Sequence, residues 1–215
     1  MIQISPTYAH DYILQVLDEL ENSENDSMLS EAEGIDTLKL TEGYLAEAVI
    51  KAHKDAPSLV VDGVVGKEDE DYEVEWSEKV ADLKMLKDTI KVVSVKVDGS
   101  PVVTEYFPED SAIGRMQDNQ YVRGTYDDPK LIVKKVWEHD RKPEFYYYSA
   151  KESKPTMNVE YIPYPDSSLS TVSISDKLEY AVLNLVASMV LDALSLHDKA
   201  TIYKNKYTEY ISASR

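Results

Sequence analysis

At 215 residues, with 43% hydrophobic side chains and no cysteine, the chain suits one large domain or a core domain with a substantial insertion. It excludes disulfide frameworks, thiolate metal sites and cysteine nucleophiles. Its 40 acidic against 23 basic residues give a net charge of −17, which argues against a surface that grips nucleic acid through its phosphates. No apolar run is long and unbroken enough to span a bilayer, and the opening Met-Ile-Gln-Ile-Ser-Pro has none of the regions of an export signal. The expectation is therefore a soluble, intracellular product with no membrane partner.

Ser5-Pro6 reads as an N-cap followed by proline at the first helical position. Ile13, Leu14, Leu17 and Leu20 then recur at helical spacing until about Asn22. Residues 21–34 are acidic and rich in Ser and Asn, the composition of an exposed connection. A second helix is predicted from Asp36 or Thr41 to Lys54, with Leu45, Ala48, Val49 and Ala52 on one face and Pro57 ending it.

From Ser58 the period changes. Residues 59–65 form a short β-like run, and in residues 67–82 Tyr72, Val74 and Trp76 alternate with Glu73 and Glu75, as in a half-buried strand. Residues 90–97 alternate again. Asp98-Gly99 then supplies a hairpin turn before a return strand through Val102, Val103 and Glu105. A polar segment at 107–120 allows one or two helical turns, and further strands are predicted at 131–137, 144–149 and 156–162, a small sheet or sandwich. Pro163-Tyr164-Pro165-Asp166-Ser167-Ser168 reads as a rigid link.

Ser175-Asp176 is predicted to cap a helix over 178–196. Its polar residues Asn184, Ser188, Asp192 and Ser195 fall on one narrow stripe, which is assigned to the face nearest solvent or a lumen. A helix apolar on so many sides needs cover from several neighbours. Asp198 restarts a last helix with Ile202, Tyr203, Tyr207, Tyr210 and Ile211 as a stripe. The expected fold class is α+β: a helical bundle from the N- and C-terminal helices, residues 1–57 and 169–215, with an inserted antiparallel β-rich region at 58–168.

Chemistry has no visible home in this pattern. His10, His53, His139 and His197 are not spaced as paired ligands, and His197 reads as favourable charge at a helix C-terminus or a satisfied interhelical residue. Glu68-Asp69-Glu70-Asp71 lacks the alternation and glycine of a calcium loop. Glu73, Glu75 and Glu78 have no basic companion that would make them a metal-dependent nuclease or hydrolase centre. There is neither a phosphate-cradling glycine loop nor a nucleophile elbow, so no catalytic residue, cofactor or metal is expected. The sixteen tyrosines carry more information, because a ring that can be buried with its hydroxyl wet suits protein interfaces.

Four segments, taken in order, carry a resemblance. They are Gly43-Tyr44-Leu45-Ala46-Glu47-Ala48 with Pro57; the strand, Asp-Gly turn and return strand of 90–103; Asn158-Val159-Glu160-Tyr161 followed by Pro163 and Pro165; and residues 178–196 followed by Tyr203, Tyr207 and Tyr210. Together they resemble the head-to-tail adaptor (connector, gatekeeper-type) proteins of tailed bacteriophages, of crAss-like or other short-tailed phages. The resemblance covers most of the chain but not residues 68–82. It implies a homo-oligomeric ring, a dodecamer, docked under the portal protein at the head-tail junction of a virion made in the host cytoplasm. Such a ring extends the DNA channel and gives tail or further ring proteins a platform.

On that reading Lys199, Tyr203, Lys204, Lys206, Tyr207, Tyr210 and Arg215 are assigned to the portal or neighbour interface, and removing residues 199–215 is expected to abolish docking. Glu68, Asp69, Glu70, Asp71, Glu73 and Glu75 are assigned to a lumen or solvent face past which DNA slides without specific binding. The alternatives are another phage tail or assembly interaction module and a metal-dependent nuclease or hydrolase. The first would stay monomeric or of low order beside portal; the second would lose metal-dependent cleavage on Glu73→Ala with Glu75→Ala.

Overall fold

A computed structural model of the protein describes residues 1–24, 36–77, 80–134, 141–149, 155–165 and 171–213. Most of the acidic connection read at 21–34, together with Glu78, Trp137, His139, Asp166, Ser167, Ser168 and Arg215, lies outside them. In chain order the elements begin with β1 (Ile2–Ile4), α1 (Pro6–Glu24), α2 (Thr37–Asp55), β2 (Val64–Val65), β3 (Tyr72–Trp76), β4 (Val80–Met85) and β5 (Thr89–Val97). There follow β6 (Tyr106–Pro108), α3 (Ala112–Met116), β7 (Lys130–Val133), β8 (Glu144–Tyr148) and β9 (Met157–Pro163). The chain ends with β10 (Val172–Ile174), α4 (Glu179–Ala193) and α5 (His197–Ala213). The fold is mixed α and β, and it divides into two compact units, Met1–Val61 with Pro165–Arg215, and Asp62–Tyr164.

In the first unit the helix starts follow their local chemistry. The Ser5 hydroxyl accepts the Tyr8 N–H at 3.1 Å ahead of Pro6, and the Asp36 carboxylate accepts the Lys39 N–H at 3.1 Å, each satisfying one N–H that a helix start leaves open. α2 closes with the Ala56 N–H on the Ala52 carbonyl before the extended backbone at Pro57. α4 packs against α1, α2 and α5, and all its residues from Ala181 to Ser188 are buried.

The polar stripe on α4 therefore needs correction. Asn184 and Ser188 are buried, not on a solvent face; Asp192 and Ser195 are exposed. Burial of the first two is tolerated because their groups are paired. The Asn184 amide accepts the Tyr12 hydroxyl at 3.2 Å and donates to the Tyr180 carbonyl at 2.6 Å, and the Ser188 hydroxyl donates to the Ala200 carbonyl at 2.9 Å.

Ser175 does not cap the helix. A 3-10 turn, Asp176–Leu178, intervenes, and the Ser175 hydroxyl donates to the Val60 carbonyl at 3.3 Å. β1 pairs antiparallel with β10, Ile2 opposite Ile174, a pairing no local pattern announced.

The second unit sets a five-stranded sheet, in the order β3-β4-β8-β7-β6, with a three-stranded sheet, β2-β9-β5. Every pair is antiparallel except the parallel β6–β7. One core joins the two sheets: Leu83, Leu131, Phe145 and Tyr147 from the first cluster with Val95, Val97, Val159 and Tyr161 from the second. The Tyr72 hydroxyl crosses to donate to the Met157 carbonyl at 2.6 Å.

Three strand readings change. The run at 67–82 is not one strand, because the chain reverses after Trp76 and β4 returns beside β3. The run at 59–65 yields only β2, after a 3-10 turn at Ser58–Val60. The Asp98-Gly99 turn forms, with Gly99 at φ +78° and the Tyr126 hydroxyl occupying the space a Cβ would need, but its return strand shrinks to one bridge, Val95 to Val103. β5 instead takes β9 as its long partner, because Met157, Val159 and Tyr161 bring the apolar side chains that its inward face needs.

The turn from α4 to α5 is a Schellman closure, with the Leu196 N–H on the Leu191 carbonyl at 2.9 Å and the Ser195 N–H on the Asp192 carbonyl at 3.0 Å. It places Ser195 at φ +64°, where a Cβ is strained by about 1 kcal/mol. Ser195→Gly is expected to raise the thermal midpoint by about 2–4 °C for a chain of this size; a lower midpoint would contradict the assignment.

Candidate interaction surfaces

α5 separates its residues by face. Ala200, Tyr203, Tyr207 and Ile211 are buried, while Ile202 and Tyr210 of the expected stripe are exposed. The Tyr207 hydroxyl donates to Asp55 Oδ2 at 2.6 Å, and Lys51 Nζ reaches the same oxygen at 2.8 Å. Burial works against the Asp55 carboxylate, but the bonds from Lys51 and Tyr207 outweigh it and hold its pKa below the ordinary value. The Tyr207 phenol is pushed upward, first by burial and then by its bond to Asp55.

Tyr203 and Tyr207 are thus internal anchors, which corrects their assignment to a neighbour interface. Both rings are buried within their own unit, and the Tyr207 hydroxyl finds its carboxylate there. Lys204 and Lys206 are exposed and Lys199 is half-buried; the Lys206 ammonium lies 4.2 Å from the centre of the Tyr203 ring. Arg215 is outside the described residues.

Tyr210 belongs to a surface that the sequence reading did not assemble. Its ring stacks on Tyr180 with centroids 6.0 Å apart and planes at 17°, both rings about half exposed. With Tyr12, Asn184, Lys206 and Glu209 they line an open hollow of about 470 Å³. Beside it the Tyr8 hydroxyl donates to Glu179 Oε1 at 2.6 Å. Tyr8 and Tyr12 stand four residues apart at the start of α1, a helical spacing that was available as a signal but carried no information about which later helix would face it.

The acidic set falls in and after the turn that leads into β3. Glu68, Asp69, Glu70, Glu73 and Glu75 are exposed, which suits a solvent face. Asp71 is not, and its assignment is corrected. It is buried, it accepts the Lys67 N–H at 2.8 Å, and it forms an ion pair with Lys87. The Lys87 ammonium, then the Lys67 N–H, hold the Asp71 carboxyl below the ordinary range. Four like charges in sequence thus become one internal tie and an exposed rim.

A third surface lies between β6 and β7. Met116 at the end of α3 and Tyr121 and Val122 on the loop after it are exposed, Tyr121 at 86%; Gln117 holds the loop from within, donating to the Ile113 carbonyl at 2.8 Å and accepting the Gly124 N–H at 2.7 Å.

The described histidines have ordinary partners. His10 meets the Thr37 hydroxyl at 2.9 Å, His53 the Val49 carbonyl at 2.9 Å, and His197 the Asp192 carboxylate at 2.7 Å. His197 begins α5 and does not close α4. Among the described residues no group of three or more His, Asp or Glu side chains is placed to hold a metal ion, and no helix is long and apolar enough to cross a membrane. No protein-family model matches the chain, and no curated protein matches its sequence.

Tyr207→Phe is expected to cost about 1–2 kcal/mol in urea unfolding, since it removes one bond to a partly solvated carboxylate, while Lys204→Ala stays within about 0.5 kcal/mol. For Asp71 the folded pKa is depressed, so its contribution is present above the unfolded value of about 3.9 and is lost as pH falls through the folded one. The stability deficit of Asp71→Asn at neutral pH should therefore shrink on acidification below about pH 4; a deficit that stays constant would refute the pairing.

Proposed function

We propose that this chain is a structural virion protein, a head-to-tail adaptor of a tailed bacteriophage that forms a ring under the portal. One observation supports the reading: the chain divides into two compact units, the first holding α1, α2, α4 and α5 from both ends of the sequence and the second, residues 62–164, holding most of the strands. A bundle of N- and C-terminal helices with an inserted, mainly antiparallel region is the arrangement the resemblance implies.

The ring, a dodecamer on this reading, has the portal protein above it and tail or further ring proteins below it. Each subunit meets its neighbours through heterologous contacts that close. The exposed carboxylates of Glu68, Asp69, Glu70, Glu73 and Glu75 support a channel wall that repels phosphates and lets DNA pass without binding. The work of the protein is docking, not catalysis. Exposed Lys204 and Lys206, with half-buried Lys199, support a cationic contact to an acidic portal surface.

Because Tyr203 and Tyr207 are core residues, removing 199–215 would take away part of the helical unit itself, and charge reversal is the cleaner test. Electron microscopy and mass measurement of the full chain with purified portal should give portal-bound rings, and Lys199→Glu with Lys204→Glu and Lys206→Glu should lose them while the free protein keeps its melting midpoint. A chain that remains monomeric in the presence of portal would sink the adaptor and leave another assembly module.

A further inference from the structure

The hollow on α1, α4 and α5 combines two features that one kind of side chain answers together. The first is an aromatic wall. Tyr180 and Tyr210 are stacked and expose 57% and 45% of their surface, and Tyr12 stands beside them. Exposed aromatic rings at this density mark surfaces that gain when another group covers their faces.

The second feature is negative charge. Glu209 lines the hollow, Glu179 precedes the lining Tyr180 on the chain and accepts the Tyr8 hydroxyl, and Glu19 is close enough to act on Tyr12. Lys206 is the cation among the lining side chains, and its ammonium is already placed over the Tyr203 ring. α1 adds no basic balance, since the first lysine or arginine of the chain is Lys39.

The floor is built. Asn184 is 2% exposed, and its amide is fixed between the Tyr12 hydroxyl and the Tyr180 carbonyl, so the hollow does not depend on a ligand to hold its shape. Burial, foremost, raises the Tyr12 phenol to about 12, so that ring is neutral at any ordinary pH.

An anionic group would be repelled by the carboxylates, and a purely apolar side chain would leave their charge unanswered. An ammonium answers the charge and can sit over a ring, as Lys206 does on Tyr203, but it has no flat face to stack. A guanidinium does both: its flat face stacks on an aromatic ring while its edge donates two parallel N–H bonds to a carboxylate. We infer that the hollow receives an arginine side chain carried on a basic segment of a partner protein, stacked on the Tyr180–Tyr210 wall and paired with Glu209 or Glu179. This surface stands independently of the ring reading.

The test titrates the full-length protein, by tyrosine fluorescence and NMR at moderate salt, with a seven-residue Gly/Ser peptide holding two arginines and with its lysine counterpart. The arginine peptide should bind several-fold more tightly than the lysine peptide. Tyr180→Ala with Tyr210→Ala should weaken it about tenfold, the fold-change of two exposed cation–π contacts. Tyr180→Phe with Tyr210→Phe keeps both rings and should retain binding, and Glu179→Gln with Glu209→Gln should lose the preference for arginine over lysine.

Equal affinity for the two peptides, or arginine binding unchanged by the double alanine variant, would mean that the acidic surface merely attracts cations and would overturn the proposal. So would no binding of either peptide. A sedimentation coefficient that falls in the alanine variant without peptide would identify a second copy as the occupant, and would also overturn it. Loss of ring assembly on portal with peptide binding intact would bear on the adaptor reading alone.

Discussion

α4 cannot stand with any large part of its surface in water. Ala181 to Ser188 are all buried, which forces cover on every side, and burying each large aliphatic side chain is worth about 1.5–3 kcal/mol. The cover comes from α1 and α2 at one end of the chain and α5 at the other, so residues far apart in sequence become one unit. Most other features of that unit serve this requirement. The Ser188 bond to Ala200 makes a polar group admissible inside it, and the bond from Tyr207 to Asp55 ties α5 to the end of α2. The Schellman closure at Ser195 returns the chain against α4 after only three residues.

The β-rich unit solves a different problem, how to bury two sheet faces with short strands. Its answer is a shared core and a few polar ties that cross or edge it. Tyr72 reaches the Met157 carbonyl, and Asp71, next to it in sequence, joins the Lys67 backbone to Lys87. Trp76 meets Tyr147 edge to face at 6.3 Å, and Tyr106 meets Phe145 at 5.4 Å, geometries that suit the aromatic quadrupole. The opposite face of the same sheet keeps its charges paired, with Lys134 bonded to Asp82 at 2.6 Å and 4.1 Å from the centre of the Tyr146 ring.

Tyrosine abundance proves to be two phenomena under one count. Tyr72, Tyr147, Tyr161, Tyr203 and Tyr207 are core residues, while Tyr8, Tyr121, Tyr180 and Tyr210 stand at the surface. Composition cannot separate them, because the same ring and hydroxyl serve both roles. Acidic residues divide the same way: Asp71 is buried between the Lys67 N–H and the Lys87 ammonium, and its neighbours Glu68, Asp69 and Glu70 remain in water.

Much was legible along the chain because its physics is local. Ser5-Pro6 and Asp36 announce helix starts, Pro57 an end, and Tyr72, Val74 and Trp76 a strand with one inward face; each depends on bonds or spacings within a few residues. The apolar girth of α4 likewise required burial, whatever the neighbours. Tertiary structure alone decided which partners satisfy these demands. β5 pairs with β9 rather than with its hairpin neighbour, and β1 pairs with β10 across almost the whole chain. Ser175 turns to Val60 rather than to its own helix. The tyrosine-lined hollow exists only because α1 and α5 meet on α4, and the inward side of α5 belongs to Tyr203 and Tyr207 rather than Tyr210. Periodicity states that a face must be covered; it holds no record of which distant face has the volume and hydrogen-bonding groups to cover it.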